Sequence, residues 1–210
     1  MAYLVLVRHG TSEYNAKGMW TGWDNPPLND DGVAEAKRAG IALKDIHFNY
    51  GYTSALLRAQ QTLNLIKETS KQTNLSVISN QLLNERNYGI YTKKNKWEVK
   101  AEVGEEEFQK IRRAWDYPIP QGESLEQVYN REIPYFQKEI EPKLKDGQNV
   151  IIASSGNALR AIVKYLENIP IEQIADLEFG LGEAWVYQID QNGQVISKEI
   201  KATNSQKGRI

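Results

Sequence analysis

The sequence predicts an α/β fold of three layers, with helices on both faces of a mostly parallel central sheet. Short apolar, β-prone runs recur along the chain, most plainly at residues 4–7 and 150–153, and apolarity on both faces suits strands in the middle of a parallel sheet. Helical spacing follows these runs, the alternation that builds βα units. The residues with chemical capacity, Arg8-His9, Arg58, Glu85 and Ser155-Gly156-Asn157, fall where the runs end. Open α/β sheets carry their sites beyond the carboxyl ends of their strands.

A chain of 210 residues can bury a sizeable core. No linker divides it, so residues 1–201 read as a single domain, with an elaboration at 86–122 that caps the site and a polar, mobile tail at 202–210. With 26 basic against 27 acidic side chains the balance points to neither nucleic acid nor an acidic membrane as partner. The absence of cysteine excludes disulfides and thiolate nucleophiles and fits a reducing compartment. No stretch approaches the roughly 18 apolar residues of a membrane span, and no leader pattern opens the chain, so it reads as cytoplasmic.

Taken in order, the apolar run at residues 4–7, leading into Arg8, is the first strand. The loop 17–28 is too rich in Gly and Pro for a regular element, yet its Trp20 and Trp23 argue for packing or ligand contact. Asn29 caps a helix to about Leu43. Residues 46–52 read as the second strand, with Ser54 as N-cap of a helix carrying Arg58. A third strand at 76–83 leads into Glu85, and a polar helix runs over 95–114. After the break at 117–122, Ser124 and Gln127 form a capping-box pair for a helix that Pro134 must kink. Residues 149–154 are the central strand, followed by a helix at 158–166. Strands at 184–190 and 194–201 close the domain as a hairpin around Asn192-Gly193.

The grouping at the strand ends carries the chemistry. Neutral imidazole is a good nucleophile toward phosphorus, and the guanidinium fork of Arg8 suits phosphoryl oxygens. Gly10 lets backbone approach an anion closely. Arginines that neutralise the equatorial oxygens, together with a carboxylic acid that exchanges a proton, complete the set that phosphoryl transfer needs. His47, the other histidine, sits in a helix-to-strand connection away from this group and reads as a solvated or packed side chain.

Read together, these motifs resemble the histidine phosphatase superfamily, and within it the 2,3-bisphosphoglycerate-dependent phosphoglycerate mutases. The resemblance spans residues 4–190. It rests on Arg8-His9-Gly10 with Ser12 and Asn15, Thr21-Gly22-Trp23, Thr53-Ser54 with Arg58-Ala59, Leu83-Asn84-Glu85-Arg86 with Tyr88-Gly89, Asn95-Lys96, Arg112-Arg113, Glu123-Ser124-Leu125, and Gly156-Asn157 with Leu159-Arg160-Ala161. It implies the phosphoglycerate mutase-like fold and interconversion of 2- and 3-phosphoglycerate in glycolysis and gluconeogenesis, through a phosphohistidine at His9 with Glu85 as acid and base. Arg8, Asn15, Arg58 and Gly156 would surround the transferred group. Gly10, Ser12, Thr21, Gly22, Arg86, Tyr88, Lys96, Arg112, Arg113 and Asn157 would bind the rest of the substrate. It implies 2,3-bisphosphoglycerate as priming donor, no metal, and small phosphorylated three-carbon acids as partners, with homodimer and monomer both open.

The chain departs from the family pattern at Ser155, where a second catalytic histidine is usual; a neutral hydroxyl there predicts correctly placed chemistry at a reduced rate. The segment 114–122 is short, predicting a smaller cap. Thr11, Asn87 and residues 92–94 also differ, and Glu183 in the stretch 180–183 brings a carboxylate near the site. Two rivals accompany this reading. A phosphatase would use the same His9 chemistry with water as acceptor, and a weakened phosphometabolite-binding relative would explain Ser155.

Overall fold

In the computed structural model the described residues are 1–204. Among these residues six strands form a single mixed sheet in the order β3-β2-β4-β1-β5-β6: β1 (Ala2–Arg8), β2 (Tyr50–Ser54), β3 (Val77–Asn80), β4 (Val150–Ser154), β5 (Ala184–Ile189) and β6 (Val195–Lys201). β1 through β4 pair in parallel, while β5 and β6 add an antiparallel edge. The helices are α1 (Glu13–Ala16), α2 (Asp30–Ala42), α3 (Leu57–Thr69), α4 (Lys96–Val103), α5 (Glu105–Arg113), α6 (Leu125–Tyr135), α7 (Glu141–Lys145) and α8 (Gly156–Glu167).

Alternation along the central strands builds the three layers. Leu4 and Leu6 of β1, with Val150 and Ile152 of β4, pack against Phe136, Leu144, Leu159 and Ile162 on one face. Val5, Val7, Ile151 and Ala153 pack against Ala39, Leu43, Leu63 and Ile66 of α2 and α3 on the other. Each Val, Leu, Ile or Phe side chain buried in this way contributes about 1.5–3 kcal/mol of hydrophobic stabilisation. The elaboration at 86–122 has its own small core, in which Val99, Phe108, Ile111 and Ile119 enclose Trp20 from the loop after α1.

Several boundaries differ from the sequence reading, each for a local reason. β2 starts at Tyr50, because Ile46 and Phe48 reach the core from an irregular connection. Ser54 ends that strand instead of capping α3, whose N-cap Leu56 makes no side-chain cap hydrogen bond. β3 is four residues long, since the Asn80 side chain accepts from Leu82 N and turns residues 81–83 into a 3₁₀ helix. The polar helix at 95–114 is two helices, separated by Gly104 at φ 83°. Pro134 leaves α6 intact, but a π-helical turn follows at Phe136–Ile140. α8 begins at Gly156, earlier than the spacing suggested. The capping box of Ser124 with Gln127 and the closing hairpin are present. Of the polar tail, Asn204 donates to Glu35 Oε1 and Leu181 O, both at 3.0 Å; residues 205–210 lie outside the described residues.

Candidate active site

The parallel strands deliver the site at their carboxyl ends. Arg8 closes β1 and His9 follows it, Arg58 sits in the first turn of α3 after β2, Glu85 follows the 3₁₀ turn after β3, and Ser155-Gly156-Asn157 join β4 to α8. All of them but Ser155 line an open cleft, whose outer wall comes from the loop after α1, the elaboration at 86–122 and residues 177–179.

His9 is 3% exposed. Its Nδ1–H donates to the Gly10 carbonyl at 2.7 Å, and its Nε2 accepts from Arg58 Nε at 3.1 Å. A carbonyl can only accept and a guanidinium can only donate, so the lone pair is on Nε2. Burial, with Arg58 and Arg8 alongside, holds the imidazole well below the ordinary histidine range. A neutral ring with a directed lone pair is the nucleophilic form.

Arg58 is fixed on every side. Nη1 donates to Asp24 O at 3.0 Å, and Nη2 donates to Gly22 O at 2.9 Å and to Ser155 Oγ at 3.3 Å. Burial pushes it down to about 10, so it stays charged at neutral pH. Arg8 donates through Nη1 to Phe179 O at 2.6 Å, whereas its buried Nε finds no partner among the described residues. Thr21 Oγ1, also on the cleft wall, is likewise unpartnered. Such groups are costly to bury unless an anion or another acceptor completes them, so this cleft fits a phosphoryl group.

Glu85 Oε1 accepts from Arg86 N at 2.7 Å and Asn157 N at 3.2 Å. Oε2 makes no hydrogen bond among the described residues. The segment around Glu85 is pinned by Arg131, which donates to the carbonyls of Leu82, Asn84 and Glu85 and pairs with Glu123, and by Trp23 Nε1, which donates to Glu85 O at 2.7 Å.

The outer wall is cationic and loosely engaged. Lys96, Arg112 and Arg113 face the cleft beside Tyr88, whose hydroxyl accepts from Asn157 Nδ2 at 3.0 Å. Burial, with Arg8 and Arg112 nearby, pushes Lys96 down to about 7. Asn15 also lines the cleft, its Oδ1 held by Ser12 N and Ser12 Oγ.

Some expected ligand residues do other work. Gly10 is there because α2 crosses it: a Cβ would lie 2.3 Å from Gly32 O. Ser12 caps α1. Arg86 is fully buried, lies over the Tyr88 ring and donates to the carbonyls of Ile111 and Arg112, so it anchors the end of α5. Ser155 is buried beneath the cleft wall. Glu183 is buried with Oε1 accepting from Trp185 Nε1 at 2.6 Å, and the second carboxylate in the cleft is Glu178 instead. Arg160, whose Nη1 orients Asn157 through Oδ1 at 2.8 Å, also lines it. Among the described residues no group of three or more His, Asp or Glu could hold a metal ion, and no helix is long and apolar enough to cross a membrane.

Residues 4–200 match the family described as the histidine phosphatase superfamily (branch 1). A 2,3-bisphosphoglycerate-dependent phosphoglycerate mutase of Parvibaculum lavamentivorans is 43% identical over 199 residues, covering 94% of this chain and 95% of the relative. The crystal structure of phosphoglycerate mutase from Bacillus anthracis is 27% identical, covers 96% of this chain and 92% of that one, and superposes with a TM-score of 0.74. A mycobacterial glucosyl-3-phosphoglycerate phosphatase shares the fold at 20% identity, with a TM-score of 0.79 over 97% of this chain and 99% of that one.

Proposed function

The chain belongs to the histidine phosphatase superfamily, and from that premise we propose that it interconverts 2- and 3-phosphoglycerate, with His9 carrying the phosphoryl group between them. The observation that carries this reading is the division of the cleft. A neutral nucleophile, two arginines and a carboxylic acid occupy its floor, while Lys96, Arg112 and Arg113 form a second cationic cluster on its outer wall. Hydrolysis of a simple phosphomonoester has no use for that second cluster; a substrate with a further anionic group does.

When bound, 2,3-bisphosphoglycerate supplies the phosphoryl group that loads His9. His9 Nε2 forms the bond to phosphorus as the ester P–O bond breaks, and Glu85 gives its proton to the released oxygen. In the return step Glu85 takes the proton from the attacking hydroxyl as the N–P bond breaks. Arg8 and Arg58 offset the charge on the equatorial oxygens. The 2- and 3-oxygens of the glycerate exchange roles by turning while the outer wall holds the carboxylate. Such chemistry belongs to the central carbon metabolism of the cytoplasm.

Ser155 weakens this arrangement relative to a histidine at the same position, since its hydroxyl is short, neutral and already shared with Arg58. Purified protein given 3-phosphoglycerate with and without 2,3-bisphosphoglycerate, followed for 2-phosphoglycerate and free phosphate together, tests the reading. It predicts isomerisation that depends on the bisphosphate; phosphate release without isomerisation would establish a phosphatase, and binding with neither product a non-catalytic relative. Ser155→His should raise turnover by about tenfold or more by restoring a donor toward the phosphoryl group.

A further inference from the structure

Among the described residues the cleft is lined by two carboxylates, and the chemistry at His9 uses Glu85 alone. Glu178 enters from the segment between the 3₁₀ helix at Ile171–Asp176 and β5, and its Oε1 accepts from Arg113 Nη2 at 2.9 Å. The two side chains are 21% and 28% exposed, so the pair stands at the open wall of the cleft. Its charge also reaches Arg8 and Arg112. The backbone that carries it is tied to the floor. Phe179, the next residue, gives its carbonyl to Arg8 and stacks on Trp185 at 4.0 Å between ring centroids.

An anion built into an anion-binding wall alters what that wall accepts. Among the described residues Lys96 and Arg112 form no salt bridge, whereas Arg113 is already matched. We propose that Glu178 is a specificity-determining residue, an internal anion on Arg113 that limits how much negative charge the outer wall takes up beyond the phosphoryl group at His9. A ligand whose outer part is a carboxylate then fits without displacing it. One whose outer part carries a carboxylate and a second phosphoryl group must either displace Glu178 or lie beside a like charge. This rests on the phosphoglycerate reading and deepens it: Glu178 favours the monophosphorylated substrate over the bisphosphorylated donor.

Calorimetric binding of three probes tests this, with inorganic phosphate for the floor and 3-phosphoglycerate and 2,3-bisphosphoglycerate for floor and wall together. All are measured in a His9→Ala background, so that no phosphoryl group is transferred. Glu178→Gln keeps an acceptor for Arg113 and removes the charge. It should tighten bisphosphoglycerate by about tenfold, 3-phosphoglycerate by about threefold and inorganic phosphate by less than about twofold, the graded response of a charge a few ångströms from the outer group. An unchanged ratio between the two glycerates would overturn the proposal. Uniform weakening of all three, repeated in Glu178→Asn with a lowered melting temperature, would also overturn it and make Glu178 a structural clamp. Protein that retains Glu178 and binds phosphate but neither glycerate would remove the phosphoglycerate reading and this proposal with it, an outcome distinct from an unchanged ratio.

Discussion

The floor of the cleft and its outer wall are built on opposite plans. At the floor, each nitrogen of the Arg58 guanidinium donates a hydrogen bond, His9 is held at both ring nitrogens, and the loop that bears Glu85 is pinned by Arg131 and Trp23. On the wall, Lys96 and Arg112 extend from short helices with their own small core and leave their charged ends to the cleft. The floor is organised before any ligand arrives, as stabilisation of charge developing in a transition state requires. The wall stores unneutralised cations and is completed by the ligand. Chemistry is therefore set by the parallel sheet, and selection by what has been added to it.

The comparison breaks most visibly at His9. His9→Ala should lower isomerisation by about 10⁴-fold or more while leaving melting temperature and binding of 3-phosphoglycerate nearly intact, because the nucleophile is removed and the wall is not. Steady-state kinetics beside calorimetry would check this.

A smaller and different effect is expected on the wall. Lys96→Met should raise KM about tenfold or more with a lesser change in kcat, the pattern of lost ground-state binding. With its value pushed down to about 7, free Lys96 is charged below that pH and loses its charge as pH rises through it. Hence kcat/KM should decline above about pH 7, and Lys96→Arg, which stays charged, should move that decline to higher pH. A pH profile whose basic limb is unaffected by Lys96→Arg would sever the link between wall charge and binding.

The smallest effect on activity should come from Glu132. It is fully buried in α6 behind the floor, its carboxylate oxygens have no hydrogen-bond partner among the described residues, and burial holds it well above the ordinary glutamate range. A raised folded-state value means that the unfolded chain ionises first, so the residue costs stability above about pH 4.5 and the cost vanishes as pH falls toward that value. Glu132→Met should therefore stabilise the fold by about 1–3 kcal/mol near neutral pH, with a gain that shrinks on acidification and kcat nearly unchanged. Denaturant unfolding at two pH values would measure it.

The floor was far more legible in the sequence than the wall. Arg8-His9, Glu85 and Gly156-Asn157 each follow a run of β-prone residues, so position along the chain alone brings them together. The polar stretch 95–114 reads as one helix in sequence, and Gly104, which the helical pattern absorbs, divides it into two by taking a positive φ. Glu178 gave no signal, since it sits in an irregular connection and meets a residue 65 positions away. Gly10 looked like an anion cradle, and what demands it is the crossing of α2 at Gly32, a contact between segments whose approach no periodicity encodes. Arg160 and Arg131 look like ordinary helix-surface charges until packing turns them inward to carbonyls and carboxylates.

The most direct test is to load the protein with 2,3-bisphosphoglycerate, locate the phosphoryl group by phosphorus NMR and peptide mass spectrometry, and then add 3-phosphoglycerate. A phosphoryl group on His9 Nε2 that disappears as 2-phosphoglycerate forms is the predicted result. A protein that isomerises phosphoglycerate without ever carrying phosphorus on His9, or whose His9-bound phosphorus leaves only as inorganic phosphate, would contradict it.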